Sequence, residues 1–123
     1  ALSSAASDVY KRQAVEGLVT AYREERNLRF HVGSVILVVI MGCLFHVSAN
    51  EWLWLLLSIF FVLASEVWNT AIENAVDLAS EYKKHPLAKK AKDTAAGGVL
   101  LAAVFSMIVG AIVFVPKIWQ LLF

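Results

Sequence analysis

The sequence predicts an all-α protein that crosses a membrane with three helices and carries an amphipathic surface helix ahead of them. Its 123 residues are 59% hydrophobic and only 17% charged, which is too apolar for a soluble fold of this size. Three apolar runs, each close to the roughly 20 residues that a bilayer core requires, account for the excess. All but one of the eleven Lys and Arg residues lie in two clusters outside those runs. The length fits a single domain.

Residues 1–13 differ from the rest of the chain, and we interpret them as a non-native, adapter-derived leader. They lack an initiator Met, an apolar core of the kind found in signal peptides, and helical periodicity. Residues 14–123 are then the membrane domain. Its first element, 14–30, repeats apolar side chains at i, i+3, i+4 and i+7 among charged ones, which predicts a helix lying in the membrane surface. A water-exposed amphipathic helix is the alternative.

The first two spans are predicted at 31–48 and 52–77. The first contains no Lys, Arg, Asp or Glu, and its single cysteine, Cys43, is expected to pack as a small hydrophobe. A short loop without basic residues separates the two spans. Trp52 and Trp54 then open the second span at a position suited to an interfacial aromatic belt.

The loop 78–92 holds five lysines around a His85-Pro86 turn, and the last span follows at 93–115. Because basic residues favour the cytoplasmic side, the N-terminus and this loop are predicted to be cytoplasmic and the C-terminus external. Small residues spaced four apart in the last span predict close helix packing. Pro116 is expected to end that span.

Acidic side chains recur along the second span in a pattern that predicts a functional site. At about 100° per residue, Glu66, Asn69, Glu73 and Asp77 fall at roughly 0°, 300°, 340° and 20° around one helix. Carboxylates at membrane depth are costly, so they are retained where they pair, bind an ion or line a wet cavity. The alternative is that the stripe only marks a helix leaving the membrane for water.

An acidic stripe beside a basic loop suits a metal-bound polyanion, and ATP with Mg2+ matches that pairing. Mg2+ is commonly held by one or two carboxylates together with substrate phosphates. Glu66 is the natural general base, because it lies deepest, and Glu73, nearer water, suits the metal. The sequence contains no GxxxxGK[ST] loop and no protein-kinase signature, so a nucleotide site must be built differently.

Two motifs carry a resemblance to a known family. The stretches EVWNTAIENAVD at 66–77 and AKKAKDTAAG at 88–97 resemble the prokaryotic integral-membrane diacylglycerol kinase family. The likeness runs from about residue 15 to 115. The loop EYKKHPLAK at 81–89 looks most like the branch from Gram-positive bacteria, whose members are undecaprenol kinases.

The resemblance implies a homotrimer with active sites shared between neighbours, in which Glu66 is the general base and Glu25 and Glu73 hold Mg2+. It further implies nucleotide contacts for Glu25, Glu73, Glu81, Tyr82, Lys92 and Asp93, supporting roles for Asn69 and Asp77, and substrate contacts for Glu66 and Ala96. The loop is longer by one residue than the usual form. Either Lys83 or His85 therefore replaces the nucleotide-contacting His of the family.

We therefore expect an ATP- and Mg2+-dependent lipid kinase of the bacterial cell membrane. Undecaprenol is the favoured acceptor and diacylglycerol the alternative. The expected partners are ATP, a membrane lipid alcohol, the bilayer and two further copies of the chain, with no nucleic acid. From a different class, intramembrane acids also serve small transport subunits, and small-residue helices serve assembly proteins, so both alternatives stand at this point.

Overall fold

The computed structural model describes residues 2–123 and contains four helices in that range: α1 (Leu2–Glu24), α2 (Arg26–Leu44), α3 (Ala49–Ser80) and α4 (Pro86–Leu122). Within the described residues, α2, α3 and α4 are long and apolar enough to cross a membrane. The predicted all-helical fold with three spanning helices is therefore confirmed. Helices α3 and α4 form the main pair, α2 packs on α3, and α1 contacts α2 and α3.

Helix α1 begins inside the segment that we interpreted as a leader and ends before the predicted boundary at residue 30. The break falls at Glu25, whose backbone is extended (φ −105°, ψ 111°), so residues 26–30 belong to α2. The chain turns here from α1 into the first spanning helix. Arg29 stabilises the turn, because its Nη1 donates to the carbonyl oxygens of Tyr22 and Arg23, each at 2.8 Å, which the end of α1 leaves without helical partners.

The apolar side chains of α1 are not covered by the rest of the described chain. Val15, Leu18, Val19 and Tyr22 are between 43% and 59% exposed. They face the surroundings as a continuous stripe, as a helix lying in a membrane surface requires. Attachment of α1 to the bilayer stays a prediction.

A tight turn joins α2 to α3. The Ser48 hydroxyl accepts from the Glu51 backbone N–H at 3.1 Å, and the Glu51 carboxylate accepts from the Ser48 N–H at 2.9 Å. This reciprocal cap starts α3 three residues earlier than predicted. Across the turn, Gly42 of α2 lies directly against the indole ring of Trp52, so the helices approach closely here because Gly42 has no side chain.

The predicted loop 78–92 is too long, because most of it is helical. Residues 78–80 extend α3 and residues 86–92 open α4, leaving 81–85 as the turn. Pro86 is pre-organised for the first helical position, and His85 Nδ1 accepts the Leu87 N–H at 3.0 Å. The lysines and alanines next along the chain are good helix formers.

The last helix does not stop at Pro116. It continues to Leu122 with Pro116 inside it, and Lys117 Nζ lies 2.9 Å from Glu51 Oε2, which ties the segment after the proline to the start of α3. With 32 and 37 residues, α3 and α4 measure about 48 and 55 Å. Both exceed a hydrocarbon core of about 30 Å, so they carry their ends beyond the membrane.

The apolar core lies at the end of the bundle opposite the 81–85 turn. It consists of Val47, Leu55, Val109, Val113 and Phe114, with Met41 of α2 and Phe45 just after α2 packed against it. Towards the turn, the buried side chains of α3 become mainly polar: Ser58, Glu66, Asn69 and Thr70, with Val62 among them. One half of the bundle therefore provides stability through apolar packing, and the other half collects the groups that can do chemistry.

Candidate active site

Glu66 is the centre of the polar half. It lies about 25 Å along α3 from the first residue of that helix, is only 1% exposed, and is the largest fully buried side chain among the described residues. His31 of α2 is its neighbour, with Nε2 at 3.2 Å from Glu66 Oε1. The ring N–H is not directed at that oxygen, so Oε1 accepts no hydrogen bond from the described residues.

The next turns of α3 continue the same face. Asn69 Nδ2 donates to Glu73 Oε1 at 3.3 Å, while the buried Asn69 Oδ1 has no described partner. The Thr70 hydroxyl donates to the Glu66 backbone carbonyl at 3.0 Å and so is not used by the Glu66 carboxyl. Buried oxygens without partners are rare and costly in folded proteins. Two of them within one helical turn mark a place where a ligand or another chain supplies the missing contacts.

Glu25 brings a second carboxyl to Glu73 from the break between α1 and α2. Burial raises the pKa of Glu25, and the adjacent Glu73 carboxyl, with Glu66 and Glu24 farther off, raises it further. Nearby, Asn74 Nδ2 donates to Glu24 Oε2 at 3.3 Å, which holds the end of α1 against α3. Like charges gathered at one point destabilise the site until a cation or protons neutralise them.

A second set of predicted residues lies nearer the 81–85 turn. Lys92 of α4 pairs with Asp77 of α3 at 2.5 Å, and Lys89 pairs with Asp93 on the outer face of α4 at 2.5 Å. These four residues, with Tyr82 and the basic turn, line a cavity of about 650 Å³. The cavity is open, carries both signs of charge and has room for a polyanion.

Lys83 and His85 are the two candidates to replace the nucleotide-contacting histidine of the family, and each already has a contact within the turn. His85 accepts the N–H of Leu87 through Nδ1, so its Nε2 is the atom left for other contacts. Lys83 Nζ lies 3.7 Å from Glu81 Oε2, and both of these side chains are more than three-quarters exposed. Lys83 and His85 both line the 650 Å³ cavity, so the alternatives stay open.

The predicted site residues thus form two groups in a single chain. The first joins Glu25, Glu66, Asn69 and Glu73, and the second joins Asp77, Tyr82, Lys92 and Asp93. Glu81 and Ala96 belong to neither group: Glu81 points outwards beside Lys83, and Ala96 is exposed on α4.

Sequence reasoning missed His31 as a site residue and assigned it only to the start of the first span. The available signal was its position: it is a titratable side chain at the edge of an apolar run, six residues after Glu25. Its partner on α3 became visible only when the helices were packed.

The carboxyls of Glu25 and Glu73 suit Mg2+ better than they suit a metal ion that is coordinated entirely by protein side chains. Among the described residues, no group of three or more His, Cys, Asp or Glu side chains is arranged to hold a metal ion. Mg2+ needs fewer protein ligands, because waters and phosphates complete its octahedron. Two facing carboxyls whose repulsion a cation would relieve are suited to that role.

Fold and site together define a small polytopic membrane protein with a buried carboxyl on its middle spanning helix and a charged cavity near the 81–85 turn. A family model described as prokaryotic diacylglycerol kinase matches residues 12–114. The chain belongs to that family and is a lipid kinase that uses ATP.

Individual relatives are consistent with this family assignment. The undecaprenol kinase of Bacillus subtilis is 45% identical over 85% of this chain and 85% of its own length. A diacylglycerol kinase of Synechocystis is 39% identical over 90% of this chain and 63% of its own length. The diacylglycerol kinase of Escherichia coli is 35% identical over 76% of this chain and 75% of its own length. The transport and assembly alternatives are thereby set aside.

Proposed function

We propose that this chain transfers the γ-phosphoryl group of ATP to the hydroxyl of undecaprenol in an Mg2+-dependent reaction, with Glu66 as general base. The observation that carries the proposal is the Glu66 carboxyl: it is 1% exposed and keeps Oε1 free of hydrogen bonds within the described chain. A free acceptor at that depth is suited to a hydroxyl carried by a membrane lipid.

The chemical step follows from this geometry. As the lipid oxygen forms its bond to the γ-phosphorus, its O–H bond breaks and the proton moves to Glu66. The bond between the γ-phosphorus and the β,γ-bridging oxygen breaks, and its electron pair leaves with ADP. Mg2+ held by Glu25 and Glu73 would offset charge on the phosphates. Lys92 and Asp93, with Glu81 and Tyr82 from the turn, would bind the nucleotide, and Asn69 and Asp77 would orient Glu73 and Lys92.

The base assignment is tested by phosphorylation of lipid with radiolabelled ATP and purified Glu66→Gln protein. We expect kcat to fall by about a hundredfold or more, since general base catalysis contributes about 10² to 10⁴. Glu16→Gln, an exposed carboxyl on α1, is the matched control and should retain full activity. Near-wild-type turnover by Glu66→Gln would remove Glu66 from this role.

The metal assignment has a separate test. Glu73→Gln should shift the Mg2+ dependence of turnover to much higher concentration, because one ligand loses its charge while Asn69 can still donate to the amide oxygen. An Mg2+ titration that matches wild type would contradict the assignment.

Undecaprenol is preferred as acceptor because the relative with 45% identity is an undecaprenol kinase. Diacylglycerol is the alternative, since relatives with 34% to 39% identity carry that name. Rates on both alcohols, measured in the same micelles, decide between them. A higher kcat/KM on diacylglycerol would reverse the preference.

We further propose a homotrimer in the bacterial cell membrane, with the 81–85 turn in the cytoplasm. An apolar groove of about 980 Å³ between α3 and α4 runs beside Asn69, and the exposure of Ala96 leaves a contact for another subunit to make. Mixing Glu66→Gln with Asp93→Asn subunits should restore activity if sites are shared. Single cysteines at positions 84 and 120, in a Cys43→Ala background, report which side of the membrane each occupies.

A further inference from the structure

His31 contacts the buried carboxyl, and the proposed phosphoryl transfer does not use it. It lies in the second turn of α2, and its side chain is 21% exposed, while that of Glu66 is only 2% exposed. The imidazole therefore extends from the Glu66 carboxyl towards the outside of the chain. Its own backbone context is ordinary helix, so the contact depends on helix packing rather than on a special turn.

The charges around Glu66 make this neighbour unusual. Glu25 from the α1–α2 break and Glu73 from α3 both bring acidic side chains to the same site. On α4, Lys92 pairs with Asp77 and Lys89 with Asp93, and Lys90 lines the separate groove beside Asn69. From α2, His31 is the side chain placed to donate a hydrogen bond to the carboxyl.

A general base must hold a lone pair towards the alcohol whose proton it takes. A hydrogen-bond donor beside the Glu66 carboxyl can fix that orientation. At 3.2 Å from Oε1, His31 Nε2 is close enough to donate to one lone pair of that oxygen after a small rotation of the imidazole ring, which leaves the other lone pair for the lipid hydroxyl. The same contact limits the directions in which the Glu66 carboxyl can turn.

We propose that His31 is the positioning residue for Glu66 and holds its carboxyl oriented towards the lipid hydroxyl. The inference rests on the proposed role of Glu66 as base. It predicts a defect in the chemical step and not in nucleotide binding, since His31 does not line the cavity beside Lys92.

Three substitutions at this position separate a polar contact from simple packing. His31→Gln keeps an N–H near the place of Nε2. His31→Asn is polar but too short to reach Glu66, and His31→Leu is apolar. We expect His31→Asn and His31→Leu to lower kcat by about tenfold or more, with the KM for ATP within about twofold of wild type. His31→Gln should recover most of that loss.

Ser34→Ala is the matched control on the same helix, because the Ser34 hydroxyl donates only to the Phe30 carbonyl at 3.1 Å. It should have wild-type kcat. Thermal unfolding of each variant in detergent verifies that the helices remain packed, and His31→Asn and His31→Gln provide the comparison if His31→Leu does not fold.

The double variant His31→Leu/Glu66→Gln tests whether His31 acts through Glu66. If His31 acts through Glu66, the second substitution lowers the residual rate of Glu66→Gln by less than about twofold. Independent, multiplied losses would overturn the inference, as would wild-type kcat in His31→Leu or equal losses in His31→Gln and His31→Asn. High activity in Glu66→Gln alone would instead overturn the proposed base, so the two failures are distinguishable.

Discussion

The contact between Gly42 and Trp52 allows the packing of α2 on α3 to be tested apart from catalysis. A Cβ added to Gly42 would lie 2.5 Å from Cη2 and 2.8 Å from Cζ2 of the Trp52 ring, whereas ordinary contacts begin near 3.4 Å. The ring must therefore move by nearly an ångström, and it packs against the apolar core. Overpacking of this kind costs about 1 to 3 kcal/mol.

We expect Gly42→Ala to lower the free energy of unfolding in mixed micelles by that amount, measured by far-UV circular dichroism during denaturation. Gly33→Ala is the matched control: it lies in the same helix, and its added Cβ meets nothing within 4 Å. The control should change stability by less than about 1 kcal/mol. Folded Gly42→Ala protein should keep the wild-type KM for ATP, because the contact is at the end of the bundle opposite the site. Equal stability of Gly42→Ala and wild type would refute this packing.

Three further predictions concern charge and capping. Asp77→Asn should raise the KM for ATP severalfold by releasing Lys92, yet change stability by less than about 1 kcal/mol, because their ion pair is partly exposed. Without Mg2+, Glu25→Gln should raise the thermal unfolding temperature at pH 8. The pKa of Glu25 is raised by burial and by Glu73, so its ionisation costs stability as pH rises through that pKa, and the gain should vanish near pH 4. Ser48→Ala should cost about 1 kcal/mol through loss of the α3 cap, with kcat unchanged.

Each of these has an outcome that contradicts it. An unchanged KM in Asp77→Asn would separate Asp77 from nucleotide binding, with Lys92→Gln as the comparison. A lower unfolding temperature for Glu25→Gln at pH 8 would mean that Glu25 stabilises the apo protein. A stability of Ser48→Ala equal to wild type would show that the cap contributes nothing.

The helix boundaries show where sequence reasoning succeeds. Apolar runs found all three spanning helices, because a segment in lipid must satisfy its own backbone and remain apolar over about 20 residues. The same runs underestimated helix length at both ends of α3 and at the start of α4. Polar helical turns outside the membrane have no apolar signal, and their extent depends on caps such as His85. Pro116 was misjudged because contacts elsewhere, such as Lys117 with Glu51, hold the helix beyond it.

Two motifs indicated the lipid kinase family, so the sequence by itself determined the fold class and the family. Periodicity along a single helix placed Glu66, Asn69 and Glu73 on one face and so predicted where the chemistry lies. Only the tertiary structure decided which side chains from other elements meet that face: Glu25 at Glu73, Lys92 at Asp77 and His31 at Glu66. The physical reason is that spacing within a helix is set by its fixed 3.6-residue turn. Contacts between helices depend instead on where one helix ends and the next begins, as at Glu25, and on how helix surfaces pack, as at Gly42. Both are properties of the whole bundle.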